Sequence, residues 1–118
     1  MKIIFCGGHH NSALLVARVL KQKGYSIFWF GHKYTMIGDK NPGAEYIEVR
    51  AEKIPFIEMT PPEIKKALTG DGRADKKGVA KMVSFFLHLN KNQIPKIDDI
   101  TDALAIAISS SYKNIKLT

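Results

Sequence analysis

Two aspartates near the end of the chain are spaced for shared chemistry. Asp99 and Asp102 lie three positions apart in the run IDDITDALAIAIS. In a helix this spacing places both carboxylates on one face of the first turn. Two such carboxylates can hold a hard divalent cation such as Mg²⁺, which keeps several waters and takes phosphate oxygens from a substrate. Acidic residues at a helix N-terminus also complement the helix dipole, so a purely structural role is the alternative.

A cluster of basic residues precedes the aspartates and surrounds the glycine-broken loop TGDGRA. Its members are Lys65, Lys66, Arg73, Lys76, Lys77 and Lys81. Lysines at a loop and at a helix start can contact nucleic-acid phosphates without ordering a long segment. Acidic residues at positions 63, 71 and 75 offset part of this charge. The cluster therefore indicates phosphate binding, and a solvated helix face is the alternative.

A glycine loop near the start of the chain is a second candidate site. Gly7 and Gly8 follow a short apolar stretch, where a strand-to-helix turn can bring an anion to a helix N-terminus. His9 and His10 could supply a general base, because imidazole titrates near neutrality. A tight structural turn with exposed histidines explains the same residues.

The elements that must position these residues differ between the two halves of the chain. In the first half, the pattern predicts a strand at 3–5, a helix from Ser12 to about Lys23 that ends at Gly24, and strands at 26–30 and 45–50. This order begins a short parallel sheet, so we expect a Rossmann-like α/β start. The second half predicts helices that begin at Pro61, after a cap at Asp75, and at 98 or 99, with one more strand in IPFIEM at the seam.

Composition bounds the function. The chain has 118 residues, a net charge of +7 and 45% hydrophobic residues, which predicts a folded domain of modest size with an anionic partner. A single cysteine excludes a disulfide framework and a cysteine-based zinc site. No apolar run approaches a membrane span, and the N-terminus does not have the pattern of a secretory signal. The predicted compartment is the cytoplasm.

The second half resembles the C-terminal part of RuvC-type Holliday-junction resolvases. The resemblance covers about residues 57–112, through TPPEIKKALTGDGRADKKGVAKMV and then IDDITDALAIAIS. It implies an RNase H-like fold in which Asp99 and Asp102 are the two C-terminal metal-binding carboxylates. It also implies that Lys65 and Lys76 lie near the scissile phosphate, with Arg73 in the same loop.

The resemblance further implies a two-metal, Mg²⁺-dependent hydrolysis of a DNA four-way junction. Four carboxylates normally share that work, and the family's first-strand aspartate and central glutamate have no counterpart in a matching motif here. We therefore expect weak or no cleavage by the isolated chain. Resolvases act as dimers, and a homodimer is an open expectation for this chain.

The first half resembles the start of MurG-type N-acetylglucosaminyltransferases, on MKIIFCGGHHNSALLVARVLKQKGY and the strand and loop that follow. That resemblance implies an acceptor loop at Gly7, Gly8 and His9 and a nucleotide-sugar substrate. The sequence thus predicts a composite of a βαβ fragment at 1–56 and an incomplete resolvase-like fragment at 57–118. The favoured function is a crossover-junction nuclease, and a glycosyltransferase fragment or a non-catalytic DNA-binding module are the alternatives.

Overall fold

A computed structural model describes residues 1–6, 10–36 and 38–113. The chain divides into two compact units, Met1–Thr60 and Pro61–Thr118. The first contains the sheet and two helices, and the second contains three helices. The sequence predicts a change after residue 56 from a part with strands to a part made of helices. Across the described residues, no helix combines the length and the apolarity needed to cross a bilayer.

The first unit is built on a parallel sheet with the strand order β1-β2-β3. β1 (Lys2–Cys6) pairs with β2 (Ser26–Gly31), and β2 pairs with β3 (Phe56–Glu58). Because β2 is the central strand, its apolar run is buried on both faces, as parallel strands usually are. The strands predicted at 3–5, at 26–30 and within IPFIEM are confirmed, and the chain is an α/β protein in this part.

Helix α1 (His10–Gln22) follows β1 and covers the sheet with Leu14 and Ala17. Gly24 has φ +96°, a left-handed conformation that glycine adopts without strain, and the predicted stop there is confirmed. The predicted start at Ser12 is wrong, because the helix begins two residues earlier. The His10 ring contacts Glu48, and this long-range interaction holds the first turn in a way that local sequence does not indicate.

Helix α2 (Ala44–Ala51) replaces the strand predicted at 45–50. The prediction rested on alternation in EYIEVR, but only Val49 is buried there, and Ile47 is 56% exposed. In a strand these two side chains would share a face. The helix instead directs Glu45, Glu48 and Glu52 toward polar groups of β2 and α1, which a strand would place on both faces.

The core of the first unit lies between the sheet and its helices. Trp29 is 1% exposed, and its ring stacks on Phe5 with the centroids 5.4 Å apart. Its indole N–H would be costly to bury alone, and it donates to Glu45 Oε1 at 2.7 Å. The other buried members of this core are Leu14, Ala17, Ile27, Val49 and Ile54.

The second unit is a set of three mutually packed helices, α3 (Pro61–Thr69), α4 (Lys76–Phe86) and α5 (Asp98–Tyr112). Each has a buried apolar stripe at helical spacing, which drives their association. The buried residues are Ile64 and Leu68 on α3, Val79 and Val83 on α4, and Ala105 and Ile106 on α5. The three helices predicted from the sequence are therefore confirmed in place and order.

Candidate functional site

The first turns of α5 present the two candidate carboxylates. Asp99 and Asp102 are both exposed, whereas the helix is anchored by buried residues further along. Ile97 at the N-cap makes no side-chain cap hydrogen bond, so the acidic groups of the first turn complement the positive end of the helix dipole. The backbone of both aspartates therefore belongs to a packed helix, and their side chains are open to solvent.

Lys76, the first residue of α4, lies beside this acidic turn. Its Nζ donates to Asp98 Oδ2 at 3.0 Å, across 22 residues of sequence. The pKa of the Lys76 ammonium is raised, chiefly by this hydrogen bond and by the charge of Asp98. The charges of Asp102 and Asp99 also raise it. The structure thus brings a predicted phosphate-binding lysine within electrostatic reach of both predicted carboxylates.

The start of α4 is held by Asp75, as predicted. Asp75 Oδ1 accepts a hydrogen bond from the Gly78 N–H at 2.8 Å and so caps the helix. A side-chain cap of this kind fixes where the helix begins, and hence where Lys76 projects. Arg73 precedes the cap in an exposed loop, and its backbone N–H donates to Asp71 Oδ1 at 2.9 Å. The guanidinium is on the surface, available to a large ligand.

Lys65 is placed on the middle of α3, which packs against both α4 and α5. It is partly buried, unlike Arg73 and Lys76. In the part of the chain that the structure describes, Lys65 has no ion pair with the acids of α5. Its carbonyl accepts the Thr69 hydroxyl at 2.8 Å, which closes the end of α3. Lys65 therefore belongs to the same unit as the carboxylates, without direct contact with them.

Asp98 is the site residue that sequence reasoning missed. The sequence treats it only as one of two residues at which the last helix could begin. Its position four residues before Asp102 was a usable signal, because i and i+4 side chains are neighbours on a helix. Only the packing of α4 against α5, however, shows that Asp98 pairs with Lys76.

The donor set limits the metal chemistry. Among the described residues, no group of three or more His, Cys, Asp or Glu side chains is arranged to hold a metal ion. Asp99 and Asp102 offer two carboxylates, and divalent cations such as Mg²⁺ are often bound in proteins through one or two carboxylates together with substrate phosphates. They fall short of a two-metal centre.

The glycine loop at Gly7, Gly8 and His9 lies outside the described residues. His10, which follows it, is described at the first position of α1. Its Nε2 lies 2.8 Å from Glu48 Oε2, and the imidazole is mostly buried. This histidine is therefore engaged in joining α1 to α2.

Solved structures show what fold this arrangement has. The chain matches the structure described as Thermus thermophilus RuvC with a TM-score of 0.60 and 24% identity, over 87% of this chain and 63% of that one. It matches T. thermophilus RuvC in complex with Holliday junction substrate with a TM-score of 0.59 and 23% identity, over 87% and 64%. The chain therefore shares the α/β fold of these RuvC structures over most of its length.

Sequence comparisons identify the family. The model of the family described as Crossover junction endodeoxyribonuclease RuvC matches residues 32–110. Three RuvC relatives are similar to the chain: from Pseudothermotoga lettingae (54% identical over 54 residues), Clostridioides difficile (48% over 60) and Gloeobacter violaceus (45% over 62). These matches cover 46%, 51% and 52% of this chain and 32%, 34% and 35% of the relatives. The chain belongs to the RuvC family and spans about a third of the length of these curated relatives.

The extent of the match changes the interpretation of the first half. The family model begins at residue 32, well before the position near 57 where the sequence predicts the resemblance to start. Residues 32–56 therefore lie within the RuvC match. The resemblance of residues 1–56 to MurG-type transferases has no support from these comparisons, and the nucleotide-sugar substrate has none either.

Proposed function

We propose that this chain binds DNA four-way junctions through its second unit and carries the C-terminal part of a crossover-junction endodeoxyribonuclease site. The observation that supports this most directly is the placement of Lys76 beside the carboxylates of α5. A nuclease needs cationic groups to hold a phosphate and carboxylates to hold the metal that activates it. One short surface of the second unit carries both.

In this proposal Lys65, Arg73 and Lys76 contact DNA phosphates, and Asp99 and Asp102 are the metal ligands. Arg73 can engage a phosphate with two parallel hydrogen bonds, whereas Lys76 acts as a point charge. Asp98 holds the Lys76 ammonium at the edge of the acidic turn until a phosphate replaces it. Asp99 and Asp102 would hold a divalent ion, by resemblance Mg²⁺, which when bound would polarise the phosphate and make the attacking water more acidic.

We propose weak or absent cleavage by the chain on its own. The described residues offer two of the four carboxylates that the family resemblance implies, and no third donor of the kind that metals prefer joins them there. Loss of half the ligands weakens the hold on the metal ions. Strong DNA binding without hydrolysis is therefore the second candidate function, and the same measurements separate the two.

A division of the chain into two parts at 56 and 57 stays a prediction, although the RuvC match crosses it and begins at residue 32. The Rossmann-like character of the small sheet and a homodimer also stay predictions. Separate expression of the two parts tests the boundary, because a fragment that is a folding unit unfolds cooperatively. Sedimentation of the full chain tests the dimer.

The test of function measures binding and cleavage of a labelled four-way junction by the full chain, with and without Mg²⁺. We expect Lys76→Ala to weaken binding and to reduce the slope of log K against log[salt] by about 0.9, the contribution of one phosphate contact. Lys91→Ala, an exposed lysine in the loop before α5, is the matched control and should change neither quantity.

The cleavage arm decides between the two candidates. We expect little nicking by the wild-type chain and, in the absence of Mg²⁺, no loss of junction affinity on Asp102→Asn, because this change removes a carboxylate that repels the phosphate. Robust paired nicking that Asp102→Asn abolishes would overturn the expectation of inactivity and establish a working site. Equal affinity for a junction and for linear duplex would contradict junction recognition.

A further inference from the structure

A cluster of aromatic and basic side chains in the first unit has no part in the site described above. It is formed by Lys33, Tyr34, Tyr46 and Arg50, where the loop after β2 meets α2. Lys33 Nζ lies 5.6 Å from the centroid of the Tyr34 ring and 5.1 Å from that of Tyr46. Arg50 Cζ lies 5.9 Å from the Tyr46 centroid. Two cations thus face one tyrosine ring.

The backbone and the core hold this cluster in place. The Gly43 N–H donates to the Lys33 carbonyl at 2.9 Å, which ties the loop to the start of α2. A Cβ on Gly43 would lie 2.5 Å from Thr35 Oγ1, so a larger residue there would force the Thr35 side chain to move. Tyr46 packs edge-on against Phe56, with the centroids 5.0 Å apart. The ring that receives the two cations is therefore anchored to the sheet.

The two cations form no direct ion pair with the nearby carboxylates. Among the residues that the structure describes, neither Lys33 nor Arg50 forms an ion pair. Acidic side chains of the same loop and helix are engaged elsewhere: Asp39 by the Met36 N–H, Glu45 by Trp29, Glu48 by His10 and Glu52 by Arg18. The positive charge of the cluster therefore remains available to an external anion.

We propose that this cluster is a binding surface for single-stranded nucleic acid, separate from the junction-binding surface of the second unit. Tyr34 is 38% exposed and offers a ring on which a base can stack. Lys33 and Arg50 flank the tyrosines and can contact the phosphates on either side of that base. Stacking on a tyrosine beside unpaired cations suits an unstacked strand, because the bases of a duplex are buried in its stack. The proposal does not depend on the junction activity.

The test measures binding of the full chain to a fluorescent oligothymidine of about 15 nucleotides, a length within the range of known single-strand sites. We expect Tyr34→Ala to weaken binding about tenfold and Tyr34→Phe, which keeps the ring, to preserve it. The double variant Lys33→Ala/Arg50→Ala should also weaken binding and should reduce the salt slope by about 1.4, at 0.7 for each phosphate.

The matched control is Lys21→Ala/Lys23→Ala, which removes the same charge from exposed positions at the end of α1, outside the loop and helix that form the cluster. It should leave the affinity within about twofold of wild type, since exposed charges outside the site contribute only through the screened general field. A loss equal to that of the Lys33 and Arg50 variant would overturn the proposal in favour of general attraction by a basic protein. Circular dichroism of each variant verifies that the fold is intact.

Photo-crosslinking locates the contact. An oligonucleotide with 5-iodouracil should form an adduct on the tryptic peptide 34–40, which contains Tyr34 as its only aromatic residue. This adduct should also form with Lys76→Ala, the variant expected to weaken junction binding. The experiment can therefore contradict the single-strand surface without contradicting the junction-binding proposal, and the reverse also holds. Adducts confined to peptides of the second unit, or duplex binding of equal strength that ignores Tyr34, would refute the single-strand surface.

Discussion

Neutralising Asp98 should tighten the binding of DNA by this chain. Asp98→Asn removes the negative charge that holds the Lys76 ammonium and keeps nearly the same side-chain shape. Both side chains are largely exposed, 72% for Asp98 and 81% for Lys76. The ion pair competes with a phosphate for the same ammonium, and the carboxylate repels that phosphate. Removal of the carboxylate relieves both effects.

The exposure of the pair sets the size of this effect. Water screens the interaction between exposed charges, so removal of one of them changes an equilibrium constant by at most about fivefold. We therefore expect Asp98→Asn to raise the affinity for a four-way junction by up to about fivefold at low salt. The gain should shrink as salt screens the charges. The slope against log[salt] should stay the same, because the same phosphates are contacted.

Fluorescence anisotropy of a labelled junction over a series of salt concentrations measures both quantities. Glu48→Gln is the control, since it makes the same change of charge at a half-exposed position of the first unit whose carboxylate faces His10. A weaker affinity for Asp98→Asn, similar to that of Lys76→Ala, would refute the reasoning. That result would mean that Asp98 holds Lys76 in its working position.

Three further predictions concern stability. Val49→Ala should lower the free energy of unfolding, measured by urea unfolding, by about 2 kcal/mol, whereas Ile47→Ala should lower it by less than about 0.5 kcal/mol. Equal losses would favour a strand at 45–50, in which both side chains share one face. Ser109 is 1% exposed and its hydroxyl has no hydrogen-bond partner among the described residues. Ser109→Ala should therefore raise the melting temperature, whereas Ser110→Ala, which removes a hydroxyl that donates to the Ala107 carbonyl, should not. A lower melting temperature for Ser109→Ala would show that the Ser109 hydroxyl is hydrogen-bonded. The pKa of Glu52 is lowered, chiefly by the hydrogen bond from Arg18. The ionised Glu52 therefore stabilises the fold above the ordinary carboxyl pKa of 4.5, and this stabilisation is lost as the pH falls through the lowered pKa. Glu52→Gln should flatten this part of the acid-unfolding profile, and an unchanged profile would exclude the ion pair as its source.

The spacing of apolar residues predicted the correct secondary structure wherever an element buries one face or all of its faces. The apolar run at 26–30 predicts a buried strand, and it became the central strand of the sheet because neighbours on both sides cover it. The left-handed residue at Gly24 and the cap at Asp75 were also predictable, since both depend on local backbone chemistry. These features need no information from distant parts of the chain.

The error at 45–50 has a definite cause. EYIEVR is short, and its alternation is compatible with two structures. The signal that separates them is the 3–4 spacing of Glu45, Glu48 and Glu52, which puts the three carboxylates on one side of a helix. Their partners lie on α1 and β2, at distances in sequence that periodicity does not reach. The tertiary contacts, more than local propensity, decide this segment.

By itself, the sequence determined the chemical inventory of the second unit. It supplied two aspartates at helical spacing, a basic loop and a capped helix. The runs TPPEIKKALTGDGRADKKGVAKMV and IDDITDALAIAIS resemble the RuvC family, and the family match then showed that the chain belongs to it. Tertiary structure decided which of these groups meet. A helical pattern defines the buried face of each helix, but the packing of α4 against α5 is a long-range event that sets the distance from Lys76 to the acidic turn. For that reason Asp98, which the sequence treats only as a helix start, emerged as the partner of the lysine.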